Sequence, residues 1–189
     1  MTSSKNTYLS GKLLVSASNM ADDCFTKSVV YLCAHSKDGA MGFVINKKLQ
    51  DLSFSDLAVP VDAAILNPLE HMFLYQGGPL EKIRGFVLHS AEYYKPGTYL
   101  VDQNIAVSSS LDVLKDIAYG IGPHENLVAL GYSAWEPKQL EHEIINNDWF
   151  VIDASPELLF HTDDDQKWER AMDETNIDLS RFIFTTANA

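Results

Sequence analysis

Basic residues are scarce in this chain: 14 Lys and Arg stand against 26 Asp and Glu, for a formal net charge of −12. Nucleic-acid binders neutralise phosphates with clustered Lys and Arg. Here the densest pairs are Lys47-Lys48 and Lys82 with Arg84, and neither forms a patch. Direct DNA binding is therefore not expected. Cysteine is also scarce, at 2 residues, Cys24 and Cys33, too few for a disulfide scaffold. Cys33 sits in an apolar run and reads as a small buried hydrophobe, while Cys24 follows Asp22 and Asp23, acidic neighbours that blunt a thiol. Long apolar runs are missing as well, and Val29-Val30-Tyr31-Leu32-Cys33-Ala34 is far too short to span a bilayer. The stretch from Met1 to Thr7 carries one Lys and no apolar segment, so it does not read as a secretory leader, and a cytoplasmic location is expected.

What is present is an ordinary globular composition, 46% hydrophobic and 21% charged over 189 residues, with no repeat or linker to divide it. A single domain is expected over residues 8–184, with residues 1–7 and 185–189 as flexible tails. The first strand is expected at Lys12–Ser16. Ser28–His35 and Ala40–Asn46 flank Ser36-Lys37-Asp38-Gly39, a polar loop of hairpin length. Both of these strands are apolar on each face, which places the hairpin at the centre of a sheet covered on both sides. Ser53–Ala58 reads as a helical turn, Phe73–Gln76 and Arg84–His89 as strands, and Tyr99–Val107 as one or two more. Leu111–Tyr119 is a helix with an apolar stripe, a capping box at Ser109 and Asp112, and Gly120 as its stop. Leu127–Tyr132 is a buried strand, Pro137 opens a helix to about Asn146, and Trp149–Asp153 is a strand. A helical turn follows Ser155-Pro156, and Asp165–Glu174 is the last helix. Hairpins first and helices later give an α+β fold and not a doubly wound parallel sheet.

Catalytic signatures fail one by one. Gly131-Tyr132-Ser133-Ala134-Trp135 places Trp135 where a nucleophile elbow needs its second glycine, so Ser133 reads as a structural turn residue. His142-Glu143 begins a zinc-helix motif, but Asn146 stands at the second histidine position. The 6 histidines, His35, His71, His89, His124, His142 and His161, are scattered. Asp163-Asp164-Asp165 reads as a solvated helix start, and no Walker loop or Gly-x-Gly-x-x-Gly is present. No cofactor and no metal are expected. Polar residues at Gly-rich turns remain. Gly77-Gly78-Pro79 offers unobstructed amides suited to an anion, and Arg84 lies near the start of the next strand. Asn46 ends a central strand, while Gln139 and Glu141 open the Pro137 helix. Each also has a purely structural reading, as a tight turn, a surface cation, a strand-end cap or a solvated helix face.

The same segments carry a resemblance. Phe25 with Ser28-Val29-Val30, Gly39-Ala40-Met41-Gly42-Phe43-Val44-Ile45-Asn46, Gly77-Gly78-Pro79, Arg84-Gly85-Phe86-Val87-Leu88-His89-Ser90 and Ala129-Leu130-Gly131-Tyr132 leading to Gln139-Leu140-Glu141 occur in order. The sequence resembles the YqgE/AlgH family of bacterial proteins from about Gly11 to Phe184. The resemblance implies a bifurcated, mainly antiparallel sheet folded towards a pseudo-barrel and flanked by helices. It implies no chemistry, although some relatives are labelled transcriptional regulators. The chain departs from the family pattern at Asp22-Asp23-Cys24-Phe25, at Ala134-Trp135-Glu136-Pro137-Lys138, where three glycines are lost, and at its Ala187-Asn188-Ala189 ending.

Two functional readings follow. The first is a non-catalytic binding or regulatory domain for a small molecule or protein partner, with Asn46, Gly77, Gly78, Arg84, Gln139 and Glu141 converging in one shallow site. The second is an enzyme on an anionic or acyl substrate, with the Gly77-Gly78 amides holding an anion and Glu141 as general base. A transcription-linked regulator is the third.

Overall fold

The computed structural model describes residues 8–20, 22–57 and 72–175. The expected tails and His71 lie outside these residues. Ten strands form one curled sheet: β1 (Lys12–Ser16), β2 (Val29–Ser36), β3 (Gly39–Val44), β4 (Lys48–Ser53), β5 (Phe73–Gln76), β6 (Leu80–Ser90), β7 (Thr98–Leu100), β8 (Ile105–Ser108), β9 (Asn126–Trp135) and β10 (Trp149–Asp153). Three α-helices accompany them among the described residues: α1 (Leu111–Ala118), α2 (Gln139–Ile145) and α3 (Asp164–Glu174). The main path runs β10-β1-β2-β3-β9-β6-β8-β7, and all its pairs are antiparallel. A side branch joins β4 to β5 and β5 to β9, the latter pair parallel. The architecture is α+β, a mostly antiparallel half-barrel with a few helices.

The β2–β3 hairpin is central, as its two apolar faces demand, and it turns tightly at Lys37-Asp38 with Ser36 opposite Gly39. Val29, Tyr31 and Cys33 point into the inner core with Trp168, Ala171 and Met172 of α3. Val30 and Leu32 point outward into a second cluster with Trp135, Leu140 of α2 and Trp149. A third cluster joins Leu74, Val87 and Val128 to Val113 and Leu114 of α1. Helices thus cover both outer faces, which is why the strands carry no polar stripe.

The fork lies on β9. Residues 126–132 pair with β6, and residues 133–135 cross to β3. Sequence reasoning ended this strand at Tyr132 and made Ser133 a turn; instead Ser133 is buried within β9 and its Oγ donates to the Gly77 carbonyl. The expected capping box at Ser109 is also corrected. Ser110 is the N-cap of α1 and makes no side-chain capping bond. Gly120 does stop that helix, with φ +71°. Strand β4 was not foreseen, because Lys48–Ser53 is mostly polar and lies on the short side branch.

Candidate functional site

A cluster of three aromatic rings forms where β9 ends, α2 begins and β10 starts. Trp135 is the last residue of β9 and Trp149 the first of β10. Their rings meet edge-to-face, centroids 5.9 Å apart at 80°. Phe25, on the loop before β2, lies nearly parallel to Trp135 at 6.4 Å and edge-on to Trp149 at 5.3 Å. Such arrangements suit ring quadrupoles.

One carboxylate organises the cluster. Glu143 Oε2 accepts from both indoles, Trp135 Nε1 at 2.7 Å and Trp149 Nε1 at 2.9 Å, and Oε1 accepts from Gln139 Nε2 at 2.8 Å. Gln139 and Glu143 are i and i+4 on α2, so they share a helix face. The short helix opens from Lys138 in the left-handed conformation, φ +66°, and the Gln139 side-chain oxygen accepts from the Glu136 amide. Leu140 on the buried face anchors α2 against β2 and β3. Around these groups is an open groove of about 350 Å³, which Met20, Pro79 and Leu80 also line. Asp22 and Asp148 add two further carboxylates, and no Lys or Arg lines it among the described residues. Trp135 and Trp149 are only 5% and 2% exposed, so the groove presents the half-buried Phe25 ring backed by the two indoles, with aliphatic surface and negative charge beside them. That combination attracts an organic cation and repels anions. Glu143, held by three donors, is in no position to act as a general base.

The family is decided by comparison. The AlgH-like family model matches residues 13–180. The chain belongs to the AlgH-like family. Relatives include a UPF0301 protein of Methylobacterium sp. strain 4-46, 40% identical and covering 96% of this chain and 90% of the relative. One from Brucella abortus strain 2308 is 41% identical over 96% and 94% of the two chains. The solution structure of the AlgH protein from Pseudomonas aeruginosa superposes with a TM-score of 0.76 at 35% identity, covering 100% of this chain and 98% of that one. A Corynebacterium diphtheriae protein shares the fold, at 23% identity and a TM-score of 0.68.

Within this AlgH-like fold the six residues expected to converge do not line one cleft. Gln139 lines the aromatic groove, next to Pro79. Arg84 lines a different groove beside α1, where it bonds Glu81 at 3.1 Å. Asn46 borders a third depression with Lys48 and Asp163–Asp165, and its side chain ties two backbone segments by accepting from Val29 N and donating to Lys27 O. Glu141 points away from the groove to His35, Oε1 to Nε2 at 3.2 Å. The Leu9 amide donates to His35 Nδ1, so Nε2 carries the proton and Glu141 accepts it. This pair ties α2 to β2. Gly77 and Gly78 are buried against β9, where an added Cβ would stand 2.3 Å from the Gly131 carbonyl oxygen and 2.2 Å from the Tyr132 carbonyl carbon. Gly77 N–H donates to Leu130 O, so it is not free to hold an anion.

Sequence reasoning missed Phe25, Trp135, Glu143 and Trp149 as a group. Their signal was present but dispersed: two Trp at strand ends, and a Gln139/Glu143 helix face between them. Among the described residues no group of His, Cys, Asp and Glu is arranged to hold a metal ion, and no helix is long and apolar enough to cross a membrane.

Proposed function

We propose that this protein is a binding domain whose aromatic groove recognises a small organic cation, a quaternary ammonium or protonated alkylamine. The observation that carries the reading is the lining itself: Phe25, Trp135 and Trp149 beside Asp22, Glu143 and Asp148, with no basic side chain among the described lining residues. A cation against aromatic faces gains about 0.5–2 kcal/mol per favourable contact. The carboxylates add attraction without becoming reaction partners. Binding rather than bond-making suits this groove, because the half-buried Glu143 carboxylate is already engaged by three donors.

The test is a titration with tetramethylammonium and with putrescine, followed by tryptophan fluorescence in a Trp168→Phe background, so that emission arises only from Trp135 and Trp149. Saturable quenching by at least one cation is expected. Phe25→Leu should weaken binding about tenfold, and Asp22→Asn with Asp148→Asn should weaken it further, all without loss of the folded state. No saturable change up to about 10 mM of either cation, an affinity of little more than about 3 kcal/mol, would end the proposal.

A further inference from the structure

A second polar constellation lies under α1, away from the aromatic groove. His89 of β6 and Ser108 of β8 are fully buried, with Ser108 Oγ 2.9 Å from His89 Nε2. His89 Nδ1 lies 2.9 Å from the Ser90 carbonyl oxygen. On the other side, Ser108 Oγ is 2.9 Å from Thr98 Oγ1, and Thr98 Oγ1 accepts from the Lys95 amide.

The two ends of this chain fix every proton in it. A carbonyl oxygen can only accept, so His89 Nδ1 carries the hydrogen and Nε2 presents a lone pair. A backbone N–H can only donate, so the Thr98 hydroxyl is free to donate onward to Ser108. Ser108 in turn donates to His89 Nε2. The result is a hydroxyl aimed at a neutral imidazole that a third group holds in the correct tautomer. Burial acts in the same sense, lowering the His89 pKa from 6.5 and keeping the ring neutral at physiological pH. Opposite His89 in the β6–β9 register stands Asn126, whose side-chain oxygen is the only buried side-chain polar atom without a partner among the described residues. It lies on the same face as the ring, an acceptor beside a group that must become positive when it takes a proton.

Ser108 is only 2% exposed, but it stands at the edge of open space. It lines a groove of about 250 Å³ between β6 and α1, whose walls include Val87, Leu114 and Leu130, with Arg84 among the lining residues. His89 does not line the groove, so a leaving group or a water reaches its Nε2 only past Ser108.

We infer that Ser108 is a nucleophile and His89 its general base, and that the groove beside α1 accepts an ester or thioester of a short apolar acyl group with an anionic far end. The acyl group meets the aliphatic walls, and Arg84, paired with exposed Glu81 and lying 5.1 Å over the Phe86 ring, turns to the anion. In the reaction the Ser108 Oγ–acyl bond forms as the bond from the acyl carbon to its oxygen or sulfur leaving group breaks. The hydroxyl proton passes to His89 Nε2 and then to the leaving group. A water entering where the leaving group departed then gives its proton to the same nitrogen as its oxygen bonds the acyl carbon; the Ser108 Oγ–acyl bond breaks, and that proton returns to Oγ. This activity is independent of cation binding at the aromatic groove.

The experiment treats the full chain with an alkyl fluorophosphonate and locates the adduct by peptide mass spectrometry. A single adduct on Ser108 is expected, absent in Ser108→Ala and formed about 100-fold more slowly in His89→Gln. The unaltered protein supplies a readout that no variant's folding can obscure. Its labelling rate should rise with pH and level off around a midpoint below 6.5, because only the neutral imidazole takes the proton. No adduct on the unaltered protein, an adduct elsewhere, or a rate indifferent to pH across that range would overturn the inference and leave the Lys95–Thr98–Ser108–His89 chain as scaffold.

Discussion

At the scale of single residues, the same side-chain type does different work according to what surrounds it. His35 and His89 are both buried, yet His35 presents a proton to Glu141 and His89 presents a lone pair to Ser108. The difference comes from backbone neighbours, an amide at Nδ1 of His35 and a carbonyl at Nδ1 of His89, and no local sequence pattern encodes it. The cysteines differ in a way that was legible. Cys33 lay in a two-sided apolar strand, and it is indeed buried, its thiol donating to the Met41 carbonyl. Burial pushes its pKa up to about 12. Cys24 is exposed on the loop before β2. Since the thiolate is the reactive species, a maleimide at pH 7 should modify Cys24 alone, with Cys33 reacting only after urea unfolds the chain. Equal reaction rates at the two sites would show that the inner core opens far more readily than its packing allows.

Among the elements, those with a clear period and a clear stop were the ones readable in advance. The β2–β3 hairpin, β1, β10 and α3 were all expected close to their observed bounds, because each carries its own periodicity and its own stop. The fork in β9 was not. Its signal was Gly131, expected near the end of a strand that stops at Tyr132; it adopts φ +75° inside a strand that runs on to Trp135. At this point the chain after β5 crosses β9 at backbone distance. The Gly77 carbonyl accepts from both Val44 N and Ser133 Oγ, stitching β3 to β9. Gly77 and Gly78 were thus rightly singled out for their missing side chains, but the backbone that approaches them belongs to this chain and not to a ligand. Gly78→Ala should cost about 3 kcal/mol, since its Cβ would sit within bonding range of Tyr132 and neither segment can withdraw without breaking the fork. Denaturant unfolding measures this directly. A loss below about 0.5 kcal/mol, typical of a surface substitution, would mean that the crossing is loose.

Over the whole molecule, charge and topology act together. Of the six residues expected to meet, five flank strand ends or a helix start and Arg84 lies inside β6, but a curled sheet has many such places, and its curvature spread them apart. Local chemistry told where polar groups would be presented; only the curled, forked topology told which would face each other. The aromatic groove arises from that topology, because the end of β9 and the start of β10 are brought beneath one face of α2. The net charge of −12 then biases what reaches it. An anionic protein concentrates cations near its surface and repels polyanions, and the effect fades as salt shortens the Debye length from about 30 Å at 0.01 M to about 8 Å at 0.15 M. Binding of tetramethylammonium to the groove should accordingly weaken as salt is raised over this range, while a neutral tert-butyl alcohol of similar shape should bind poorly at either concentration. Duplex DNA should show no mobility shift at 0.15 M salt, since no cluster of Lys and Arg stands ready to release its counterions. A neutral analogue that matched the cation, or a DNA complex dissolved by salt, would mean that neither the acidic rim nor the global field selects the partner, and apolar contact with the three rings would have to account for recognition alone.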